Sequence, residues 1–535
     1  MDSGSATEVL VMDEFPGYFP EGHCPVGGVT DRGDFHSPFR SRGFQIDSAR
    51  KLCKSYGYSH VAQVFTDTAT KGSTQVHGLH YWKGSGGRAT IILGGSFGLL
   101  RSRQLSDTPG TDPYMLRFDS LSQLGPAWTG FPSADPGSDT GASFLFGCFA
   151  EFGDSLYYCN GADWPIRIDD LHSLFAKSAT LAPYYRAMGV FHPGLDNLSD
   201  LQIGLALYPG KRSAAESGYN VTTYGLYVAS VVSKFGESPP RVIGTPHVNE
   251  YLGSGGFPLV YVDWPDFDTH ILGVRLYRTP LGSATPQLVT EMRRPSPYFI
   301  DTVADSGLGY ALPYDTGLPS NFRLLATFQE RLFGVGGYGR PNRVACSKAG
   351  YPDVWPPTFE IPLGSDLGTR MITQLRMVNG DFYLFLDRGI LRLVGSSPEN
   401  YTFRMHNDFV GCIAPRTLFP WQDGVVFLSR DGLYFFNGTE LRPLGLTGPG
   451  WEALGVLPWR LACGAVSHDR YYLSYRDDTS AKWEDEVLNP VAGTVPNRTL
   501  VVNMRNGAVG IIDDWAFGQS TPYESSEALV LSFPG

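Results

Sequence analysis

The sequence predicts an all-β fold: a β-propeller of about six blades with a fibronectin type III-like β-sandwich inserted into it. Two matching stretches carry the propeller. Residues 379–390 read NGDFYLFLDRGI and residues 422–438 read QDGVVFLSRDGLYFFNG. Each is a polar Gly turn, an apolar run rich in Val, Phe, Tyr and Leu, a charged Gly turn and a second apolar run. That is the signature of a tight hairpin, in which Gly supplies positive φ without steric cost. Recurrence after roughly forty residues is the period of a four-stranded propeller blade. Composition agrees, because 64 Gly, 39 Pro, 28 Tyr, 33 Phe and 10 Trp favour many short strands joined by turns.

At 535 residues the chain exceeds one ordinary core and predicts two or three domains. A hydrophobic content of 42% against 18% charged residues marks it as globular. Residues 1–45 form an N-terminal arm, with Val9–Met12 as a strand before the Pro/Gly-rich Phe15–Pro20. The first propeller part spans 46–200. In it Gln75–Trp82 reads as a strand, Ala89–Leu100 as strand, turn, strand, and Phe152–Gly161 as a parallel of the 422–438 hairpin. Between blades, Asp107–Ala142 reads as a long surface loop, and Leu171–Met188 as the one short helical patch.

The rhythm breaks over 201–318. Thr222, Tyr224, Leu226, Val228, Ser230 and Val232 share one face of an extended strand, and His270, Leu272, Val274, Leu276 and Arg278 one face of another. Extended strands between Pro-bounded turns predict the sandwich. The second propeller part spans 319–535: Phe328–Gly337 starts a blade and Asn342–Ser347 continues it, Asp469–Arg476 follows the 379–438 hairpins, and Thr499–Met504 with Gly507–Ile512 is the last clear strand pair. Residues 481–497 read as a loop. In a propeller the last blade pairs with the first and removes open edges.

Charge excludes one class of function. A net charge of −11 without a Lys/Arg run longer than two residues leaves no basic face to grip phosphates. An acidic wall could still surround DNA without holding it. Seven cysteines (Cys24, Cys53, Cys148, Cys159, Cys346, Cys412 and Cys463) form no CxxC pair and read as buried thiols rather than a disulfide framework or zinc site. The N-terminal residues lack a signal-peptide pattern, and no apolar run reaches the ~20 residues of a membrane span.

The sequence yields no catalytic, cofactor-binding or metal-binding residues. Gly94-Gly95-Ser96-Phe97-Gly98 matches the nucleophile-elbow pattern, but an elbow needs a following helix and a hairpin turn fits better. His77 and His80, three apart in a strand, point to opposite faces and cannot share a metal. Ser429-Arg430-Asp431-Gly432 partly matches the Asp-box turn of sialidase-like propellers and reads as a hairpin turn steadied by an Asp side chain. The acidic pairs Asp169/Asp170, Asp266/Asp268 and Asp513/Asp514 read as solvated turn acids rather than glycosidase carboxylates.

Several short segments, taken in order, resemble a known family: residues 224–240 (YGLYVASVVSKFGESPP), 274–279 (VRLYRT), 299–302 (FIDT), 329–333 (QERLF) and 429–434 (SRDGLY). This arrangement between propeller hairpins is similar to the tail nozzle, tail tubular protein B or tail hub proteins of short-tailed bacteriophages. The resemblance covers most of the chain, best over roughly 140–440. It implies a structural virion protein rather than an enzyme, assembled in the host cytoplasm into a homohexameric ring at the distal tail. Its implied partners are a tail adaptor or portal-proximal ring, tail fibres or tailspikes, and double-stranded DNA that passes without specific binding. It also implies a gate for genome ejection, and no cofactor. Two rivals remain on the residues alone: a host-receptor-binding tail propeller, and a glycan-degrading sialidase-like propeller.

Overall fold

A computed structural model describes the strands named below, between residues 44 and 532, and the continuous stretches 147–161, 164–169, 184–191, 201–208, 225–245, 257–264, 270–336, 342–363 and 370–447. The arm over 1–43 and the predicted loop over 481–497 lie outside the described residues. Strands β1 (Phe44–Ile46) and β2 (Leu52–Lys54) pair as a hairpin. Then β3 (Val76–Lys83), β4 (Ala89–Gly95), β5 (Gly98–Gln104) and β6 (Leu116–Ser120) form an antiparallel meander. Strand β7 (Ser122–Gln123) crosses to the next sheet, where it pairs in parallel with the outer strand of β8 (Cys148–Phe152), β9 (Ser155–Cys159), β10 (Ile166–Asp169) and β11 (Tyr184–Ala187).

The chain next builds two facing sheets. Their strands are β12 (Gln202–Tyr208), β13 (Tyr227–Ser233), β14 (Gly236–Glu237), β15 (Arg241–Gly244), β16 (Phe257–Asp263), β17 (Ile271–Arg278), β18 (Gln287–Arg293) and β19 (Tyr298–Ile300). One sheet is ordered β12-β16-β19; the other places β14 and β15 on one side of β13, with β17 and β18 on the other. Tyr227, Ala229, Val231, Val274 and Leu276 from the second sheet share a core with Val260 and Val262 from the first.

Four-stranded meanders then resume. The first is β20 (Phe322–Phe328), β21 (Arg331–Gly336), β22 (Val344–Cys346) and β23 (Glu360–Ile361). The second is β24 (Ile372–Val378), β25 (Asp381–Leu386), β26 (Ile390–Val394) and β27 (Thr402–Asn407). The third is β28 (Phe419–Trp421), β29 (Gly424–Ser429), β30 (Gly432–Phe436) and β31 (Leu441–Thr447). The fourth is β32 (Cys463–Ser467), β33 (Arg470–Tyr475), β34 (Arg498–Asn503) and β35 (Val509–Asp513), and the hairpin β36 (Gln519–Tyr523) and β37 (Ala528–Ser532) follows.

At most of the junctions a meander sets its first strand beside that of the next. Strand β3 lies by β8, β8 by β20, β20 by β24 and β28 by β32, while β36 lies by both β32 and β3. Among the described residues, apolar side chains fill five of the junctions: Trp82 and Ile92 against Leu156, Phe322 and Leu325 against Tyr157, Phe333 against Phe382, Phe385 against Phe427, and Leu428 against Leu473. The arrangement is all-β and propeller-like, and its sheet order returns to its start.

This packing explains the unbroken apolar runs. In β25, Phe382, Leu384 and Leu386 face the preceding sheet while Tyr383 and Phe385 face the next, so both faces are buried. Positive φ falls on Gly or Asn at some of the turns and on Gln329, Glu330 and Asp469 at others. Asn379 (φ 53°) and Gly380 (φ 87°) form the two positive-φ positions of a type I′ turn. At the matching hairpin, however, Gln422 carries the positive φ, and Gly424 already belongs to β29. There a methyl group would run into the Phe436 carbonyl and the Phe435 ring, so close approach, not turn geometry, requires Gly.

Three sequence expectations need correction. Tyr184–Ala187, inside the predicted helical patch, is strand β11, because the open edge of β10 offers it a full ladder; residues 171–183 lie outside the described residues. The predicted loop 107–142 contains β6 and β7. Leu272 does not share a buried face with Val274: the ladder skips it between Gly273 and Ile271, and this bulge leaves it 51% exposed.

Truncating a ring at a sheet-to-sheet junction should be costly. Phe382 contacts Phe328 and Phe333 at ring separations of 5.0 and 4.7 Å, so Phe382→Ala should lose about 3–5 kcal/mol in urea unfolding. A loss below about 1 kcal/mol would mean that the sheets do not pack through this ring.

Candidate functional site

The densest buried polar cluster lies where the chain leaves the propeller-like sheets for the facing pair and returns. Strand β10 carries Arg167 and Asp169, whose side chains point to the same side two residues apart. Arg167 donates through Nε to Asp169 at 3.2 Å and through Nη1 to Asp353 at 2.5 Å. Its guanidinium lies 3.3 Å above the centre of the Phe235 ring, in the turn between β13 and β14. Ser155 donates to Asp169 at 2.7 Å, and His270 Nε2 lies 4.0 Å from the same carboxylate.

Asp353 belongs to the segment between β22 and β23, and it collects donors from three places. Besides Arg167 it accepts the Tyr157 hydroxyl of β9 at 3.0 Å and the Gly189 N–H of the outgoing linker at 2.6 Å. Its neighbour Val354 enters the core of the facing sheets. Trp355 packs against Phe322 with the rings tilted and their centres 4.4 Å apart, and it donates its backbone N–H to the Gly317 carbonyl of the returning linker at 3.0 Å. Gly189 adopts a positive φ (118°) that disfavours a side chain, and a Cβ there would press on Pro319 and Leu318, so the outgoing and returning linkers run side by side.

Electrostatics keep Arg167 charged and Tyr157 neutral. Burial alone would lower the Arg167 pKa, and the Asp169 and Asp353 carboxylates more than reverse that, so the guanidinium stays charged. Burial pushes the Tyr157 phenol well above its ordinary value, and the Asp353 charge adds to the shift. The bonds described run between members of the cluster and join β9, β10, the Tyr351–Trp355 segment and the Phe235 turn. The arrangement ties these segments to one another.

Two further polar sets lie in the facing sheets: one around Glu237 ties strands of a single sheet, and one around Asp301 joins the two sheets. Glu237 accepts from Ser230 and Tyr277 at 2.5 and 3.0 Å and pairs with Arg275, which also donates to Glu291 at 3.1 Å. Arg278 donates to Asp301 at 2.8 Å and pairs with Asp305, while the Tyr227 hydroxyl donates to Asp301 at 2.5 Å. Residues from the GESPP, VRLYRT and FIDT segments thus bind one another, and they draw together strands far apart in sequence.

The motifs considered in the sequence fall as follows. Gly95 pairs with Gly98 across the β4–β5 hairpin, so the GGSFG stretch sits where an elbow would need a helix. His80 Nε2 meets Glu151 Oε1 at 2.8 Å and the ring stacks on Phe149 at 5.4 Å; the His77 side chain lies outside the described residues. Ser429 pairs with Gly432 across the β29–β30 turn, and Asp431 accepts the Tyr434 hydroxyl at 2.8 Å. Cys159, Cys346, Cys412 and Cys463 are buried and Cys148 is half-buried. Asp169 departs from expectation: it is not a solvated turn acid but a buried partner of Arg167, because the facing sheets cover the end of β10. Asp266 and Asp268 lie outside the described residues. Among the described residues no group of three or more His, Cys, Asp or Glu side chains could hold a metal ion, and no helix is long and apolar enough to cross a membrane.

No protein-family model and no curated protein matches the chain. Among solved structures, the chain is similar to the dihydro-heme d1 dehydrogenase NirN in complex with DHE at 9% identity and a TM-score of 0.27, over 64% of this chain. It spans 62% of the length of that chain. A protein from Bacteroides uniformis described as a 6-phosphogluconolactonase matches at 10% identity and a TM-score of 0.25, over 69% of this chain and 86% of that one. Likenesses this distant carry no argument about fold or activity, and the sheet order above stands by itself.

Two outcomes follow from the seat. Asp353→Ala leaves a buried guanidinium with one carboxylate fewer and should destabilise by about 3–5 kcal/mol in urea unfolding; a change under about 1 kcal/mol would mean that the cluster is not buried in solution. Because the folded pKa of Tyr157 lies above its unfolded value, its contribution is complete below pH of about 10 and is lost as pH rises further. The urea midpoint should therefore fall above that pH, less steeply in Tyr157→Phe. An equal slope in the variant would remove Tyr157 as a cause.

Proposed function

We propose that this chain is a structural subunit of the distal tail nozzle of a short-tailed bacteriophage, forming a homohexameric ring around the DNA exit channel. The observation that carries the reading is the seated insertion: facing sheets enter and leave a cyclic order of meanders at one buried ion cluster. In detail, we read the meanders as a propeller of six blades, counting the two flanked by β3 and β11 and the four that follow β20. The β36–β37 hairpin closes the ring between β32 and β3. The insertion between the two parts is a sandwich of fibronectin type III kind, with its domain limits at 201 and 318.

A rigid disc with protected edges bears load while its loops vary, as a conduit requires. Six such bodies contacting head to tail close around an axis. Net charge supports the conduit as well, since −11 on each copy would discourage passing DNA from adhering to the wall. The short segments that resemble the nozzle family support the reading in a further way, because three of them form one bonded set within the insertion. Ring partners in this reading are an adaptor above and fibres or spikes at the side, with the ring serving as the gate for ejection.

Native mass spectrometry with negative-stain imaging of the purified protein, alone and with neighbouring tail proteins, tests this. A six-fold ring with an axial opening is expected. A persistent monomer or a trimer in both conditions would overturn the nozzle reading.

A further inference from the structure

We propose that the outer face of the three-stranded sheet β12-β16-β19 is a saccharide-binding platform for an extended, uncharged glycan. Strand alternation puts Leu201, Ile203, Leu205, Val260, Val262 and Phe299 into the shared core. The opposite face therefore presents Gly204, Ala206 and Tyr208 on β12, Phe257, Leu259 and Tyr261 on β16, and Tyr298 and Ile300 on β19. Register lays these out in rows across the strands: Gly204 beside Tyr261 beside Tyr298, Ala206 beside Leu259 beside Ile300, and Tyr208 beside Phe257.

Three tyrosines on this face are exposed: Tyr208 at 47%, Tyr261 at 49% and Tyr298 at 59%. Tyr261 is also oriented. A methyl group on Gly204 would fall within the Tyr261 ring, so the ring lies across the β12 backbone and fills the space that a side chain at 204 would take. One surface of the ring is thereby packed, and the rest is left to solvent. Aromatic rings fixed in this way offer an apolar surface with a polar rim and little entropy left to lose. A pyranose ring complements that surface, with an apolar C–H face and a rim of hydroxyls. Gln202 and Asp263, opposite each other at one end of the sheet, supply an amide and a carboxylate for those hydroxyls. The carboxylate disfavours an anionic sugar.

Size decides between this occupant and a protein. Three strands about 4.8 Å apart, the longest of seven residues at ~3.3 Å each, give a face on the order of 300 Å². Each side of a stable protein interface buries about 800 Å². The face is too small to hold a second copy alone, yet falls in the ~300–600 Å² range of functional apolar patches. The other sheet lacks such a face. There Leu312 packs on Val228 and Tyr277, Tyr310 meets Tyr277 edge-on at 6.3 Å, and the Glu237–Arg275 pair occupies the remainder. A protein with this platform would bind glycan whether or not it forms a ring.

Affinity electrophoresis of the full chain through native gels containing hydroxyethyl cellulose, xyloglucan, glucomannan or dextran tests the proposal, with native mass spectrometry run alongside. At least one polysaccharide should retard the parent protein. Tyr261→Ala and Tyr298→Ala should weaken that retardation at least five-fold, and Tyr261→Phe, which keeps the ring, should retain it within two-fold. Unchanged circular dichroism and oligomeric mass are expected in all three variants. No retardation by any of the four polymers, or retardation indifferent to both alanine variants, would overturn the proposal. So would a fall in oligomeric mass on either alanine substitution, which would assign the face to a subunit contact.

Discussion

The pairing of Arg167 with Asp353 sets the conditions under which the rest of this molecule can exist as one body. A charged guanidinium cannot be buried without compensation. Here the compensation comes from Asp169 on the same strand, from Asp353, and from the face of Phe235. Those groups belong to the early sheets, the later sheets and the facing pair. The cluster therefore ties all three to one another. Asp353 extends the tie to the linker, because the Gly189 N–H and the Tyr157 hydroxyl end on it too.

Seating by an ion cluster differs in kind from the packing between the meanders. There, Phe333 against Phe382 or Phe385 against Phe427 supplies non-directional burial that tolerates small shifts. At the seat, hydrogen bonds fix direction as well as distance. The Phe235 turn is held from a second side too: Gly236 (φ 123°) leaves no room for a Cβ against Val354, which itself enters the inserted core. A pair of sheets held only by two connecting segments could swing about them. This arrangement replaces a hinge with a mount.

The sequence announces the hairpins because their causes are local. Asn379-Gly380 needs only two positive-φ residues, and the runs around it need only be apolar on both faces. Its reach is limited where causes are distant. Arg167 and Asp353 are 186 positions apart, and nothing near Asp169 distinguishes a buried acid from a turn acid until the Phe235 turn closes over it. The bulge at Leu272 is equally hidden, since it arises from the match between β13 and β17 and not from either strand alone. Strand β11 is read as helix for the same reason: its edge partner β10, not its own composition, makes it a strand. The tyrosine face is written in plain alternation, yet only the Gly204–Tyr261 register shows that one ring lies across the neighbouring strand.

The claim on which this account turns is that the inserted sheets and the propeller-like sheets move as one. Double electron–electron resonance between nitroxide-bearing unnatural residues at Leu272 and Phe409 measures it directly; both positions are exposed, one on the insertion and one on the later sheets. A single narrow distance distribution in the parent chain, broadening when Asp353→Ala is added, is the predicted result. A broad or bimodal distribution in the parent would contradict the account, because it would mean that the seat does not hold.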